Sequence, residues 1–255
     1  MKKTFKWIGI LIITILIVLV YSGLYLDIPR KELETKYATG SSQFLDLPDG
    51  ARIHFRDEGE PNNPVIVLLH GFNGSLFNFE RLVPLLANDF RLISIDLPGF
   101  GLTGATPSAD YTTEGFINAV TKLTDELGIE KFSIAGNSMG GGVAWRYALE
   151  YPSKVEGLIL LASSGVGSKE DVKKFEEREN NTPIVWKLMD SDLLKKFLHY
   201  YTPKFFATEG LKRSVYDQQH ANADHANQFH DLVLLQGSRN AILSMTMGGR
   251  RKMYG

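Results

Sequence analysis

The chain of 255 residues contains no cysteine, and its formal net charge is only −1. The absence of cysteine excludes a disulfide framework and is compatible with a bacterial protein that works outside the cytoplasm. The balanced charge provides no long-range attraction to nucleic acid, so no nucleic-acid partner is expected. The sequence also has no internal repeat, no low-complexity segment and no cluster of metal-ligating residues. We therefore expect neither a metal nor an organic cofactor.

Long hydrophobic runs are scarce, with one exception at the N-terminus. Residues 7–26 form a stretch of twenty residues without a charge, and three lysines precede it. As a helix this stretch spans about 30 Å, the thickness of one hydrocarbon core. The positive-inside rule places the preceding lysines in the cytoplasm and all later residues on the other side. We predict a single-pass membrane protein, in a bacterial inner membrane, with a cytoplasmic N-terminus and an extracytoplasmic domain.

A cleaved signal peptide is the alternative interpretation of this N-terminal run. A signal peptide usually has a shorter apolar region, followed by small residues at a cleavage site. Residues 21–30 contain no A-x-A pattern. The sequence therefore favours an uncleaved anchor.

The most informative motif lies in the middle of the chain. Residues 136–140 read Gly-Asn-Ser-Met-Gly, a G-x-S-x-G pattern with Ser138 at its centre. The apolar run before it predicts a short buried strand, and residues 143–149 after it predict a helix. Ser138 is therefore predicted at a sharp strand-to-helix turn, where a helix N-terminus favours negative charge. This context favours a nucleophile over an incidental serine in a glycine-rich turn.

Two further segments accompany this motif, each after an apolar run. Residues 70–72 read His-Gly-Phe, and residues 96–101 read Asp-Leu-Pro-Gly-Phe-Gly. In order and spacing the three segments resemble the α/β-hydrolase superfamily, especially meta-cleavage-product hydrolases and membrane-anchored bacterial esterases and lipases. Haloalkane dehalogenases and epoxide hydrolases carry an aspartate where this chain has Ser138, which argues against both. The resemblance is strong over residues 43–165 and loose over residues 166–255.

The resemblance implies a role for each of these residues. Ser138 is the expected nucleophile, and the backbone N–H groups of Phe72 and Met139 are the expected oxyanion hole. The residues expected to support the site are His70, Gly71 and Asn137.

Two polar residues near the motif have competing interpretations. His70 could act as a general base and Asp96 as a catalytic acid. Both precede Ser138, whereas the triad acid and histidine follow the serine in this fold. We therefore interpret His70 as a brace of the oxyanion loop and Asp96 as a cap of its own loop. His54, on a predicted edge strand, is interpreted as a solvated or packing residue rather than a ligand.

The alternation of strands and helices predicts the α/β class, with a mostly parallel sheet covered by helices on both faces. A hairpin around residues 48–50 opens the sheet. The predicted domains are a transmembrane anchor, a polar linker, a hydrolase core with six strands and a helical cap. Their residues are 1–26, 27–42, 43–165 and 166–255, respectively. Apolar cap residues, including Phe205 and Phe206, are expected to line an acyl pocket or to form helix–helix core.

The expected partners of the serine are missing from the sequence. No strand-like run follows residue 162, although the resemblance implies two further strands that carry the triad acid and histidine. We expect a chain truncated within its cap, in which both triad partners are absent. The alternative is a base from the cap, and the candidate histidines are His199, His220, His225 and His230.

These observations predict a serine-dependent α/β-hydrolase that acts on a carboxylic ester or a similar carbonyl substrate. The expected ligand is a small molecule with an apolar acyl group, and residues 7–26 tether the domain to the membrane. The alternatives are a C–C bond hydrolase of the meta-cleavage type and a non-catalytic, membrane-tethered binding protein. The sequence leaves the individual substrate and the oligomeric state open.

Overall fold

A computed structural model describes residues 20–165, 199–214 and 222–247, with isolated positions between 7 and 18 and at 197. The described elements run along the chain in this order: α1 (Arg30–Tyr37), β1 (Ser42–Asp46), β2 (Arg52–Glu58), β3 (Val65–Leu69), a 3₁₀ turn (Leu76–Phe79), α2 (Val83–Leu86), β4 (Arg91–Ile95), α3 (Thr113–Glu126), β5 (Phe132–Asn137), α4 (Met139–Glu150), β6 (Val155–Leu161), α5 (Lys204–Ser214), α6 (Ala223–Val233) and α7 (Ser238–Met247).

The strands form one six-stranded sheet in the order β1-β2-β4-β3-β5-β6. β1 and β2 are an antiparallel hairpin, and β2 also runs antiparallel to β4. The remaining pairs, β4 with β3, β3 with β5 and β5 with β6, are parallel. The predicted opening hairpin and the predicted mostly parallel sheet are both confirmed. The carboxyl ends of β3 and β5 are adjacent, which brings the loop after each strand to the same edge of the sheet.

Helices cover both faces of the sheet because the central strands are apolar on both sides. Side chains alternate along a strand. In β3, Val67 and Leu69 pack in one cluster with Phe116 of α3 and with α4. The alternate residues Ile66 and Leu68 pack on the opposite face, with the 3₁₀ turn and α2. The continuous apolar run of β3 is thus buried on both faces, as in parallel sheets generally.

Side chains of short polar residues set the starts of two helices. The Thr112 hydroxyl accepts a hydrogen bond from the Gly115 N–H at 3.1 Å and begins α3. The Asn222 carboxamide accepts one from the His225 N–H at 2.9 Å and begins α6. Both residues satisfy a backbone donor that the helix itself leaves unpaired.

The segment predicted as a polar linker, residues 27–42, contains helix α1. Leu33 of α1 is buried, in a cluster with Leu102 of the core and Leu235 before α7. The Tyr37 hydroxyl donates to Asp231 of α6 at 2.8 Å. The segment therefore packs between the sheet and the C-terminal helices, because it carries an apolar side chain among its polar residues. The domain boundaries themselves stay a prediction.

Most of the predicted membrane anchor, and much of the predicted cap, lie outside the described residues. The described positions between 7 and 22 are helical. Within the ranges that the structure covers, none of the helices has the length and apolar character needed to cross a bilayer. The candidate base His220 and the stretch 166–196 also fall outside these ranges.

β6 lies at one edge of the sheet and is unusually open. Leu158, Ile159, Leu160 and Leu161 are each between 38% and 42% exposed. The parts of the chain that the structure describes contain no strand after Leu161. An open apolar edge of this kind is a template for pairing with another strand.

Candidate active site

Ser138 lies at the turn between β5 and α4, as predicted. Its backbone has φ 51° and ψ −114°, and Ser138 is one of four non-glycine residues with positive φ in the described chain. A positive φ is strained for a residue with a β-carbon and persists only where the surroundings impose it. Ser138 is exposed, whereas the next residue, Met139, is buried. The strain therefore presents the hydroxyl to solvent at the first turn of a helix.

Backbone packing around Ser138 requires glycine at position 140 and leaves little room for a side chain at position 71. A β-carbon at Gly140 would lie 2.5 Å from the carbonyl oxygen of His70 and would overlap the carbonyl of Leu69. A β-carbon at Gly71 would lie 3.0 Å from Asn137 Oδ1 and 3.3 Å from Ser138 Cβ. The loop after β3 is thus pressed directly against the serine turn.

The loop after β6 holds the Ser138 backbone from the other side. The Ser164 N–H and hydroxyl both donate to the Ser138 carbonyl oxygen, at 2.9 Å and 3.1 Å. The Trp145 indole N–H in turn donates to the Ser164 carbonyl at 3.1 Å. Asn137 contributes a bond from Nδ2 to the Leu161 carbonyl at 3.1 Å. Ser164 and Trp145 were not predicted from the sequence; only the Ser-Ser-Gly run after β6 could have indicated such a loop.

His70 braces the loop that carries the predicted oxyanion donor. The Leu97 N–H donates to His70 Nε2 at 3.0 Å, so the ring proton must sit on Nδ1. Nδ1 lies 2.7 Å from the Gly71 carbonyl oxygen and donates to it. Burial lowers the pKa of His70, which favours this neutral ring. Both nitrogens are occupied, so His70 joins the loops after β3 and β4 and has no free nitrogen for Ser138.

The two predicted oxyanion donors lie at the ends of adjacent parallel strands. Met139 is the first residue of α4, where backbone N–H groups have no partner within the helix. Phe72 follows His70 and Gly71, and its ring packs edge-on against Phe100 at 5.5 Å between centroids. In the described part of the chain, no backbone carbonyl accepts the N–H of Phe72 or of Met139. Both N–H groups therefore lack a backbone partner among the described residues.

Asp96 is fully buried, and its carboxylate accepts hydrogen bonds from three other residues instead of facing Ser138. Its carboxylate accepts the Leu76 N–H at 2.6 Å, the Leu102 N–H at 2.7 Å and His54 Nδ1–H at 2.7 Å. Burial acts to raise the pKa of Asp96, but the contact with His54 and the hydrogen bond from the Leu76 N–H outweigh it and hold that pKa below its ordinary value. Its interpretation as a loop cap agrees with these contacts.

Of the two interpretations of His54, the packing residue is confirmed and the solvated residue is wrong. His54 is fully buried, because β2 lies between β1 and β4 and is not an edge strand. Its ring packs against Phe44, with 5.0 Å between centroids, and its Nδ1 binds Asp96. A partner 42 residues further along the chain could not be read from the local sequence.

We expect Asp96→Asn to destabilise the fold, since an amide cannot accept all three hydrogen bonds. Each buried donor left without an acceptor costs about 1–3 kcal/mol. Because the pKa of Asp96 is lowered in the folded state, its contribution is present above the unfolded value of about 3.9 and is lost as pH falls. Urea unfolding of the parent and the variant at several pH values measures this contribution to the free energy of unfolding. If the difference in free energy of unfolding between parent and variant stays constant from pH 7 down to pH 3, Asp96 is not ionised in the folded protein.

No described histidine bonds to the Ser138 hydroxyl. His54 and His70 are occupied by Asp96 and by the loops after β3 and β4. His230 Nε2 donates to the Thr202 carbonyl at 2.8 Å, and its ring packs against Tyr25. Within the described ranges, no group of three or more acidic, histidine or cysteine side chains could hold a metal. Within the described ranges, Ser138 and the backbone N–H groups predicted as oxyanion donors are thus not accompanied by a histidine that bonds to Ser138.

Several known proteins resemble this chain in sequence or in fold. Lipase 1 of Psychrobacter immobilis is 32% identical over 183 residues, which cover 68% of this chain and 57% of the lipase. A meta-cleavage product hydrolase of Pseudomonas fluorescens IP01 has the same fold, with a TM-score of 0.61 and 25% identity over 83% of this chain and 70% of its own. A bacterial membrane phospholipase A has a TM-score of 0.60 and 21% identity, covering 99% of this chain and 76% of its own.

The chain spans only part of the length of the curated relatives that it matches. The matched stretches span between 40% and 58% of the lengths of three curated relatives, so the chain corresponds to about half of each. The model of one family, described as the alpha/beta hydrolase fold, matches residues 64–228, well over half of the chain. This match includes the loop after β3, the serine turn and the loop after β6. The chain therefore belongs to the α/β-hydrolase fold family.

Proposed function

We propose that this chain forms the nucleophile-bearing part of a membrane-tethered serine hydrolase that cleaves carboxylic esters with apolar acyl groups. One observation carries the proposal: Ser138 is exposed and held at a strained positive φ at the N-terminus of α4. The similarity to a lipase over two thirds of the chain supports an ester as substrate. Strain of this kind, together with unpaired N–H groups beside it, is characteristic of sites built for a developing negative charge.

The reaction would proceed through an acyl-enzyme. The Ser138 oxygen adds to the ester carbonyl, and the N–H groups of Met139 and Phe72 stabilise the resulting oxyanion. Collapse of this intermediate releases the alcohol, which takes the proton that the serine gave up. Water then attacks the acyl-enzyme in the same way, releasing the carboxylic acid and restoring the serine hydroxyl. Both additions need a general base to receive a proton.

The lack of a base among the described residues favours a second candidate function. Without a base, Ser138 keeps the weak nucleophilicity of an ordinary hydroxyl. Catalysis would then be limited to what the oxyanion hole and binding supply, about 10³–10⁴ over water in serine proteases that have lost their triad. The alternative is therefore a non-catalytic protein that binds an acyl compound at the same turn.

Membrane attachment is part of the proposal and rests on the sequence. Residues 7–26 are uncharged and apolar and follow three lysines. This arrangement supports a single span with a cytoplasmic N-terminus and an extracytoplasmic domain.

The test is a panel of p-nitrophenyl esters of increasing acyl length, combined with a fluorophosphonate probe. The full 255-residue chain is compared with any longer product of the same gene. We expect the longer product to hydrolyse esters and to label at Ser138, and the shorter chain to do so at least about 10³-fold more slowly. If the probe labels neither form and both still bind an acyl ligand, the protein is a non-catalytic binding protein instead. A meta-cleavage product analogue in the panel tests C–C bond hydrolysis.

A further inference from the structure

An exposed aromatic pair lies at the start of α5. Phe205 is 65% exposed and Phe206 is 64% exposed. The sequence predicts both residues in an acyl pocket or in helix–helix core, and their exposure excludes the core. Helix α5 instead buries Ala207. Adjacent exposed aromatics are costly in water, so they indicate a surface that is covered by a partner.

The position of this pair relative to the N-terminal segment indicates the partner. Leu24 forms an antiparallel bridge with Tyr201, and the Thr202 N–H donates to the Gly23 carbonyl at 2.7 Å. A β-carbon at Gly23 would overlap the Tyr201 ring and lie 2.8 Å from Pro203. The end of the apolar run 7–26 is therefore fixed next to the residues that lead into α5. Its last residue, Leu26, is 79% exposed.

A buried arginine makes this attachment rigid. The Arg239 side chain of α7 is 3% exposed and donates through Nε to Asp27 Oδ1 at 3.0 Å and through Nη1 to the Tyr25 carbonyl at 2.9 Å. Ile28 adds two backbone hydrogen bonds. Its N–H donates to the Leu234 carbonyl, and its carbonyl accepts from the Gln236 N–H. The C-terminal helices cannot swing away from the end of the apolar run without breaking these bonds.

Charge on the same helix fits an anionic surface. Lys204 precedes the two phenylalanines, and Lys212 and Arg213 lie in the last turn of α5. The one acidic residue of α5, Glu209, pairs with Lys212 at 3.0 Å. Aromatic side chains beside basic ones are typical of segments that lie in the headgroup region of a bilayer.

We propose that Leu24, Leu26, Phe205 and Phe206 form a membrane-contact surface that seats the C-terminal helices on the phospholipid bilayer. The proposal rests on the proposed membrane tether and deepens it. The apolar run enters the bilayer directly beside the aromatic pair, so the lipid surface is the nearest partner that can cover both. A helix seated in this way would orient the hydrolase domain against the source of its acyl substrates.

The absence of cysteine permits a clean test. Single cysteines replace Phe206, Tyr21 or Leu149 in the full chain and carry an environment-sensitive fluorophore. The protein is reconstituted in vesicles of phosphatidylethanolamine and phosphatidylglycerol with lipid-borne doxyl quenchers or with aqueous iodide. Leu149 is the matched control, because it is 74% exposed but lies in the last turn of α4, away from the turn at Ser138.

We expect several-fold stronger lipid quenching at F206C than at L149C, and the reverse order with iodide. Equal iodide quenching at F206C and L149C, with strong lipid quenching at Y21C, would overturn the contact surface and leave the tether standing. Absence of lipid quenching at Y21C would overturn the tether itself. Shielding of F206C from both quenchers would show that protein, rather than lipid, covers Phe206 and would also refute the proposal. Circular dichroism confirms folding of each labelled variant.

Discussion

Ser138→Ala is expected to lower ester hydrolysis at least about 10³-fold, because it removes the atom that bonds to the substrate carbonyl. The measurement uses the longest product of the gene that contains this chain, with initial rates on the p-nitrophenyl panel. The fold should be unchanged, since the Ser138 backbone is held by Ser164 and Leu161 and its hydroxyl bonds to no described residue. Fluorophosphonate labelling should disappear together with hydrolysis.

Ser153→Ala is the matched control for this variant. Ser153 is also exposed, but it precedes β6 and therefore lies at the opposite end of the sheet from Ser138. We expect the Ser153→Ala variant to hydrolyse esters at the same rate as the parent and to unfold at the same urea concentration. Undiminished turnover in the Ser138 variant would remove Ser138 from the mechanism and would leave the strained turn without a catalytic explanation.

Gly140→Ala should disrupt the serine turn although it adds only one methyl group. The new β-carbon would meet the carbonyls of Leu69 and His70, which are backbone atoms of β3 and its loop and cannot rotate away. Overpacking of this kind typically costs about 1–3 kcal/mol. The turn can relieve it only by moving Ser138, and a shift of about 1 Å at a reacting group can cost about 10² in rate. Urea unfolding and ester hydrolysis measure the two effects.

Gly210→Ala distinguishes this clash from a general effect of replacing glycine. Gly210 lies within α5, and a β-carbon there would meet no atom within 4 Å. Alanine is the better helix former by about 1 kcal/mol, so this variant should be as stable as the parent or slightly more stable. If both variants unfold at the same urea concentration as the parent, then α4 does not pack against β3 as described.

Local sequence was sufficient for the sheet and for the serine turn. Apolar runs of strand length, separated by helix-length segments, predict a mostly parallel sheet, because burial on both faces leaves a continuous apolar signal in the chain. The pattern in residues 136–140 needs only its own flanking strand and helix to be recognised. The amino-acid sequence alone therefore identifies Ser138, Met139 and Phe72 as candidates, although their catalytic roles remain predictions.

Contacts between distant segments were decided by the tertiary structure alone. Three such contacts join residues far apart in the chain. His54 pairs with Asp96, Ser164 donates to the Ser138 carbonyl, and α1 packs between the sheet and the C-terminal helices. Local sequence placed His54 on an edge strand and left open whether it is solvated or packed, because it does not show that β4 pairs with β2. For Phe205 and Phe206, local sequence left the choice between an acyl pocket and helix–helix core. Amphipathic helices bury one stripe and expose another, and only the packing of α5 shows that these rings face outward, beside the end of the apolar N-terminal run.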